Sequence, residues 1–144
     1  MNLKNLYNGF RSHPESGWVL KAQSAQSLYD FVKTHDIKKV LELGGGIGLS
    51  TAIIALALKE KGREYTIDTV EQYEKCTALA RKMIPEELQK GITFHRIDSA
   101  LHEFKEIPGQ YFMNFKELPE PPEGGWDLVV VDGPGPMLLD GRFV

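Results

Sequence analysis

The stretch "VLELGGGIGLS", residues 40–50, constrains this chain more than any other: an apolar run, then glycine at four of five positions from Gly44 to Gly48, then an apolar helical pattern. Glycine takes φ > 0 without penalty and has no Cβ, so such a strand-to-helix turn lets backbone amides approach a ligand at a helix N-terminus. The surrounding sequence repeats the strand-then-helix theme. "KKVLEL" reads as a short buried first strand, preceded by an amphipathic helix over Leu20–His35 on which Ala25, Leu28, Tyr29 and Val32 recur at helical spacing. Leu49–Lys61 is apolar on nearly every side, a helix packed between layers, closed by Lys59, Lys61 and Gly62.

Glu64–Gln72 alternates and is rich in β-branched residues, the mark of a second strand. Tyr73–Ile84 follows as a helix with Tyr73, Cys76, Leu79, Ala80 and Met83 on one face and Pro85 stopping it. Gly91–Asp98 reads as the third strand and Ser99–Ile107 as a short helix. The proline- and glycine-rich residues 108–125 read mostly as loop, with "YFMNF" extended. "WDLVVVDGPGP" supplies a fourth strand whose unbroken apolar run fits a central parallel strand covered on both faces. Alternating strands and helices imply an α/β, Rossmann-like, doubly wound parallel sheet with right-handed crossovers. The 144 residues suit a single domain, a helical lead-in over 1–36 and a core over 37–144.

Composition narrows the partners. Lys and Arg are scattered among acids and the formal net charge is −3, which argues against a nucleic-acid duplex. One cysteine, Cys76, allows no internal disulfide. The N-terminal residues lack a signal-peptide core and no run approaches the ~20 apolar residues of a membrane span. A cytoplasmic protein without a membrane partner is the expectation.

Ligands of such sheets lie at the carboxyl ends of the strands, where strand order reverses. A nucleoside-triphosphate loop would need glycine and lysine where this chain has Leu49 and Ser50. A dinucleotide fingerprint starting at Gly44 or Gly46 meets Leu49 or Thr51 at its last glycine. The run that matches is acid-x-Gly-x-Gly-x-Gly, namely Glu42, Gly44, Gly46 and Gly48, with Gly45 between. Glu71, Asp98 and Asp132 close the other three strands, so every strand delivers a carboxylate to one edge.

The motif at Glu42–Gly48, the acid of "EQYEKCTALAR" and the Asp-Gly-Pro turn after the fourth strand resemble the class I S-adenosylmethionine-dependent methyltransferases over residues 38–134. The resemblance implies strand order 3-2-1-4 for the part present and S-adenosylmethionine as cofactor. It implies that Glu71, with Gln72 beside it, accepts from the ribose hydroxyls, Asp68 being the alternative. It implies that Asp98 and the amides of Ser99 or Ala100 meet the adenine. Glu42 and Asp132 then complement the cationic part of the ligand and the glycine-loop amides its carboxylate. Asp132 is also the candidate catalytic base. The same fold serves aminopropyltransferases, whose loop carries an acid where this chain has Ile47.

Four readings follow. The first is a methyltransferase acting on a small-molecule or unidentified acceptor, with residues 108–125 bordering the acceptor pocket. The others are a binding module without transfer or a truncated fragment, an aminopropyltransferase, and a dinucleotide-dependent oxidoreductase. Family members carry seven strands in the order 3-2-1-4-5-7-6, whereas this sequence ends twelve residues past Asp132. The fourth strand is then expected at an edge, inviting homodimerisation unless "MLLDGRFV" folds over it. The histidines lack metal-ligand spacing, so no metal is expected. Trp18 is expected to pack, with cover of the cofactor as the alternative, and Cys76 to face the core.

Overall fold

A computed structural model describes residues 1–104 and 107–132, and for 99–113 and residue 115 the backbone alone. Four parallel strands form the main sheet: β1 (Lys39–Leu43), β2 (Thr66–Glu71), β3 (Ile92–Arg96) and a last strand, Leu128–Val131, in the expected 3-2-1-4 order. β1 is central, pairing Val40 with Ile67 on one side and with Leu128 on the other. Two carboxylate-to-amide contacts seat the sheet's amino edge, the N–H groups of Lys38 and Lys39 donating to Asp127 Oδ2 at 2.8 Å each.

Among the described residues five helices accompany the sheet: α1 (Leu3–Arg11), α2 (Ala22–Thr34), α3 (Leu49–Glu60), α4 (Glu74–Met83) and the single turn α5 (Glu86–Gln89). All five send residues into one hydrophobic cluster with the sheet face of Val40 and Ile67. α3 explains its all-round apolar sequence by position, since every residue from Leu49 to Leu58 is buried. α1 lies inside the anticipated helical lead-in and is started by Asn2, whose side chain accepts from the Asn5 amide at 2.9 Å. Its Leu6 and Phe10 are buried, and full burial of an apolar side chain is worth about 1.5–3 kcal/mol. Among the described residues no helix is long and apolar enough to cross a membrane.

The opposite sheet face is thinly covered. Leu41, Leu43, Val70 and Ile97 form a second, smaller cluster with Leu118 and Trp126, to which no helix contributes among the described residues. Val129 and Val131, on the same face as Leu41 and Leu43 by register, are 48% and 71% exposed. The expectation of a fourth strand covered on both faces is therefore corrected for those two residues. That strand is the sheet's edge among the described residues, while the segment "MLLDGRFV" expected to cover it lies outside them.

The helix expected over Ser99–Ile107 is absent. In its place β4 (Ser99–Phe104) pairs antiparallel with β5 (Ile107–Met113), with an irregularity between His102 and Phe104, so that the Leu128–Val131 strand is β6. His102 thus lies on a strand, and Tyr111–Met113 of "YFMNF" is extended while Phe115 begins a 3₁₀ turn. Local propensity in "SALHEF" lost to the pairing offered by the β-forming Tyr111 and Phe112 across the hairpin. The Asn114 N–H donates to the Asp98 carbonyl at 3.3 Å, so the hairpin leaves and rejoins the chain at the carboxyl end of β3.

Candidate functional site

The glycines divide into two jobs. Gly44, Gly46 and Gly48 have φ of 93°, 53° and 93°, in the left-handed region that L side chains avoid. A Cβ on Gly45 would stand 2.2 Å from Thr69 Oγ1, and one on Gly48 would stand 2.9 Å from both Ala80 Cβ and Ile84 Cδ1. Those two positions let the loop settle onto β2 and let α3 approach α4. A Cβ on Gly46 would meet nothing within 4 Å, so this amide sits beside open space. The loop is pinned from below, Gly44 N–H and Gly45 N–H both donating to the Val70 carbonyl at 2.9 and 3.1 Å.

Glu42 lies beneath that loop rather than at its open edge. It is fully buried, and its Oε2 accepts from Thr51 Oγ1 at 2.5 Å and Thr69 Oγ1 at 2.7 Å while Oε1 has no partner among the described residues. One threonine comes from α3 and one from β2, so the carboxylate joins three elements under the glycines. Sequence reading missed both threonines, because nothing local marks a hydroxyl that meets its acceptor across two elements.

Glu71 ends β2 and is turned into the turn it closes. Its Oε2 accepts from Gly46 N–H at 2.8 Å, and its Oε1 from Gln72 N–H at 2.8 Å and Tyr73 N–H at 2.9 Å. Gln72 therefore enters the site through its backbone. Asp68 is engaged elsewhere, its Oδ1 lying 2.6 Å from His95 Nε2 on β3. That contact belongs to the sheet face, away from the loop, and gives His95 a structural partner.

Asp98 follows β3 with an exposed side chain held by Arg96 Nη2 at 2.9 Å, and Ser99 and Ala100 open β4 immediately after it. Asp132 follows β6, its N–H donating to the Leu43 carbonyl at 2.8 Å. Partial desolvation raises its carboxyl pKa from the ordinary aspartate value. Across the carboxyl edge the order is therefore Asp98, Glu71, the glycine loop and Asp132. Three of the four expected carboxylates share that edge, and Glu42 supports it from inside.

Trp18, before α2, and Tyr73, beside the end of β2, are exposed aromatics. Trp18, expected to pack, is 96% exposed, and Tyr73, at the start of α4, is 60% exposed. The segment carrying Trp18 is tied to α4 by Lys75 Nζ and Glu15 Oε1 at 2.6 Å. Cys76 packs half-buried against the main core, and burial pushes its thiol pKa up, as suits a core residue rather than a nucleophile.

Comparison with known proteins gives a consistent picture. The family described as protein-L-isoaspartate(D-aspartate) O-methyltransferase matches residues 19–103. Among solved structures, the O-methyltransferase TomG from Streptomyces achromogenes, solved in complex with S-adenosylmethionine, is similar at TM-score 0.64 and 18% identity over 91% of this chain and 52% of that one. A Podospora anserina methyltransferase bound to S-adenosylhomocysteine is similar at TM-score 0.62 and 18% identity, over 91% and 49%. An O-methyltransferase from Bacillus cereus is similar at TM-score 0.59 and 18% identity, over 91% and 53%. No curated protein matches the sequence. The chain thus spans about half the length of these structural neighbours.

Proposed function

Because this chain belongs to the protein-L-isoaspartate(D-aspartate) O-methyltransferase family, we propose that it binds S-adenosylmethionine at the carboxyl edge of its sheet and serves methyl transfer to an oxygen acceptor. The observation that carries this reading is the row of Asp98, Glu71, the Gly46 amide and Asp132 along one edge, with space above Gly46. A cofactor bearing a sulfonium, an ammonium and a ribose diol, and no phosphate, suits a site rich in carboxylates. Glu71 with Gln72 holds the ribose side, Asp98 with the amides of Ser99 and Ala100 the adenine side, and the glycine loop the methionine side. Glu42 orients that loop from beneath.

Bound there, the cofactor supplies an electrophilic methyl group. The protein's contribution is mainly positioning, worth up to about 7–11 kcal/mol when reacting atoms are held in line. Asp132, the carboxylate nearest the strand-order switch with a raised proton affinity, is the candidate base for an acceptor hydroxyl. The family description names L-isoaspartate, so an isoaspartyl peptide is the first acceptor to try, followed by small hydroxylated molecules. A cofactor-binding module without transfer is the second reading, since the carboxylates and loop amides along this edge account for cofactor contacts alone.

Calorimetric titration with S-adenosylmethionine and S-adenosylhomocysteine, with NADH as control, tests the binding. Tight sulfur-ligand binding that is lost in Glu71→Ala supports it, and preference for NADH defeats it. Formation of S-adenosylhomocysteine with an added acceptor separates enzyme from module. Self-association through β6 belongs to the same proposal, since Val129 and Val131 stand exposed on that strand. Sedimentation should find concentration-dependent dimers that Val131→Lys dissolves. A monomer at all concentrations would remove the idea.

A further inference from the structure

At the amino edge of the sheet, opposite the glycine loop, a cleft of about 470 Å³ is lined by Lys38, Lys39, Lys59, Arg63 and Lys90. In sequence these cations are dispersed among acids. The fold gathers them because parallel strands all start at one edge: Lys38 and Lys39 stand at the entry into β1, Lys59 and Arg63 flank the end of α3 where its crossover returns to β2, and Lys90 ends the crossover into β3. Glu64 and Glu87 are the carboxylates in the lining, so cations outnumber them. Asp36 and Asp127 lie close by, and each already has partners.

The cations differ in how far they are committed. Arg63 pairs with Asp36, and Lys39 Nζ donates to the Glu123 carbonyl at 2.5 Å. Lys59 stands 4.0 Å from Glu87, at the limit of an ion pair. The ammonium groups of Lys38 and Lys90 have no partner among the described residues, although the Lys38 backbone is fixed by Asp127. The cleft also has a firm wall. The Tyr65 ring lies against Gly91, where a Cβ would be 2.5 Å from it, and its hydroxyl donates to the Leu88 carbonyl at 2.9 Å.

A cavity of this size, with a rigid aromatic wall and two uncommitted ammonium groups, suits a small multiply charged anion. We infer that this cleft is a second ligand site, taking a small phosphate-bearing molecule whose phosphates bridge Lys38 and Lys90. It is separate from the carboxyl-edge site and does not rest on the methyltransferase reading.

The test is calorimetric titration of the full chain with inorganic tripolyphosphate at constant ionic strength. Wild type is compared with Lys38→Gln/Lys90→Gln and with Lys4→Gln/Lys82→Gln, which removes the same charge from exposed positions outside the cleft lining. The cleft pair should weaken binding by about tenfold or more while the control pair changes it by less than about threefold, as expected when two charge-assisted contacts are removed. Equal weakening in both variants, or no binding to folded wild type, overturns the site. A single-stranded RNA oligonucleotide that binds with excess tripolyphosphate present, and still depends on the cleft lysines, overturns the small-molecule assignment in favour of a phosphodiester chain. Lys38 and Lys90 are exposed, and matching circular dichroism of both variants confirms that folding is not what is read.

Discussion

The backbone N–H of Gly46 donates to Glu71 Oε2 at 2.8 Å, joining the glycine loop to the acid that ends β2. Together with the Gln72 and Tyr73 amides this fills three of about four acceptor positions on the carboxylate. A ribose diol brings two donors, so the Gly46 contact has to yield when the diol is held. Addition of cofactor should therefore shift the Gly46 amide resonance and alter its exchange rate. Glu71→Ala should lower stability by about 1–3 kcal/mol in urea denaturation, the range for unpairing part-buried donors, and cut S-adenosylmethionine affinity by about tenfold or more. An unchanged Gly46 resonance at saturating cofactor would refute the exchange of partners.

Glu42 should behave as a support. Replacing it by alanine leaves Thr51 and Thr69 without their acceptor and opens a buried space, a loss of about 2–4 kcal/mol. Glu42→Gln keeps an acceptor oxygen for the threonines and nearly the same volume, so it should lose less than about 1 kcal/mol. Equilibrium unfolding of the two variants decides between support and direct ligand contact. If Gln matches wild type in stability yet abolishes cofactor binding, Glu42 touches the ligand after all.

The glycines should separate by role. Gly45→Ala and Gly48→Ala drive a methyl group into Thr69 or into Ala80 and Ile84, and each should cost more than about 2 kcal/mol through overpacking, with φ of 93° adding strain at Gly48. Gly46→Ala has free space and a φ of 53°, so it should cost about 1 kcal/mol of stability while weakening cofactor binding by a larger factor. Thermal unfolding and titration measured side by side would expose any failure of that ordering.

Asp127 carries a pH dependence. The Lys39 and Lys38 amides hold its carboxyl below the ordinary carboxylate range. A folded-state pKa lower than the unfolded one, which is about 3.9, adds stability that is complete above that value and is lost as pH falls through the folded-state pKa. Asp127→Ala should therefore be less stable than wild type at pH 7, with the gap narrowing below about pH 4. A gap independent of pH would assign the loss to packing instead.

Much of this protein was legible locally. The apolar "VLEL", the glycines at 44–48 and the β-branched second strand each carry their conformation in neighbouring residues, and alternating elements with right-handed crossovers leave few sheets to choose from. Glu71, Asp98 and Asp132 were readable as one edge because each closes a strand of the parallel sheet. Glu42 was readable as an acid at the loop, but its burial depends on Thr51 and Thr69 arriving from other elements.

Tertiary pairing decided the rest. Residues 99–107 have side chains that tolerate a helix, and only a partner strand beginning at Ile107 makes β4 the better use of their backbone groups. The exposure of Trp18 and the bare face of Val129 and Val131 depend on what other elements do or do not cover. The five cations at the amino edge are neighbours because the entry into β1 and two crossovers meet there. What the sequence by itself determined is conformation held by contacts a few residues apart. What the tertiary structure decided is which distant groups meet, since burial and charge are properties of surroundings that no local pattern records.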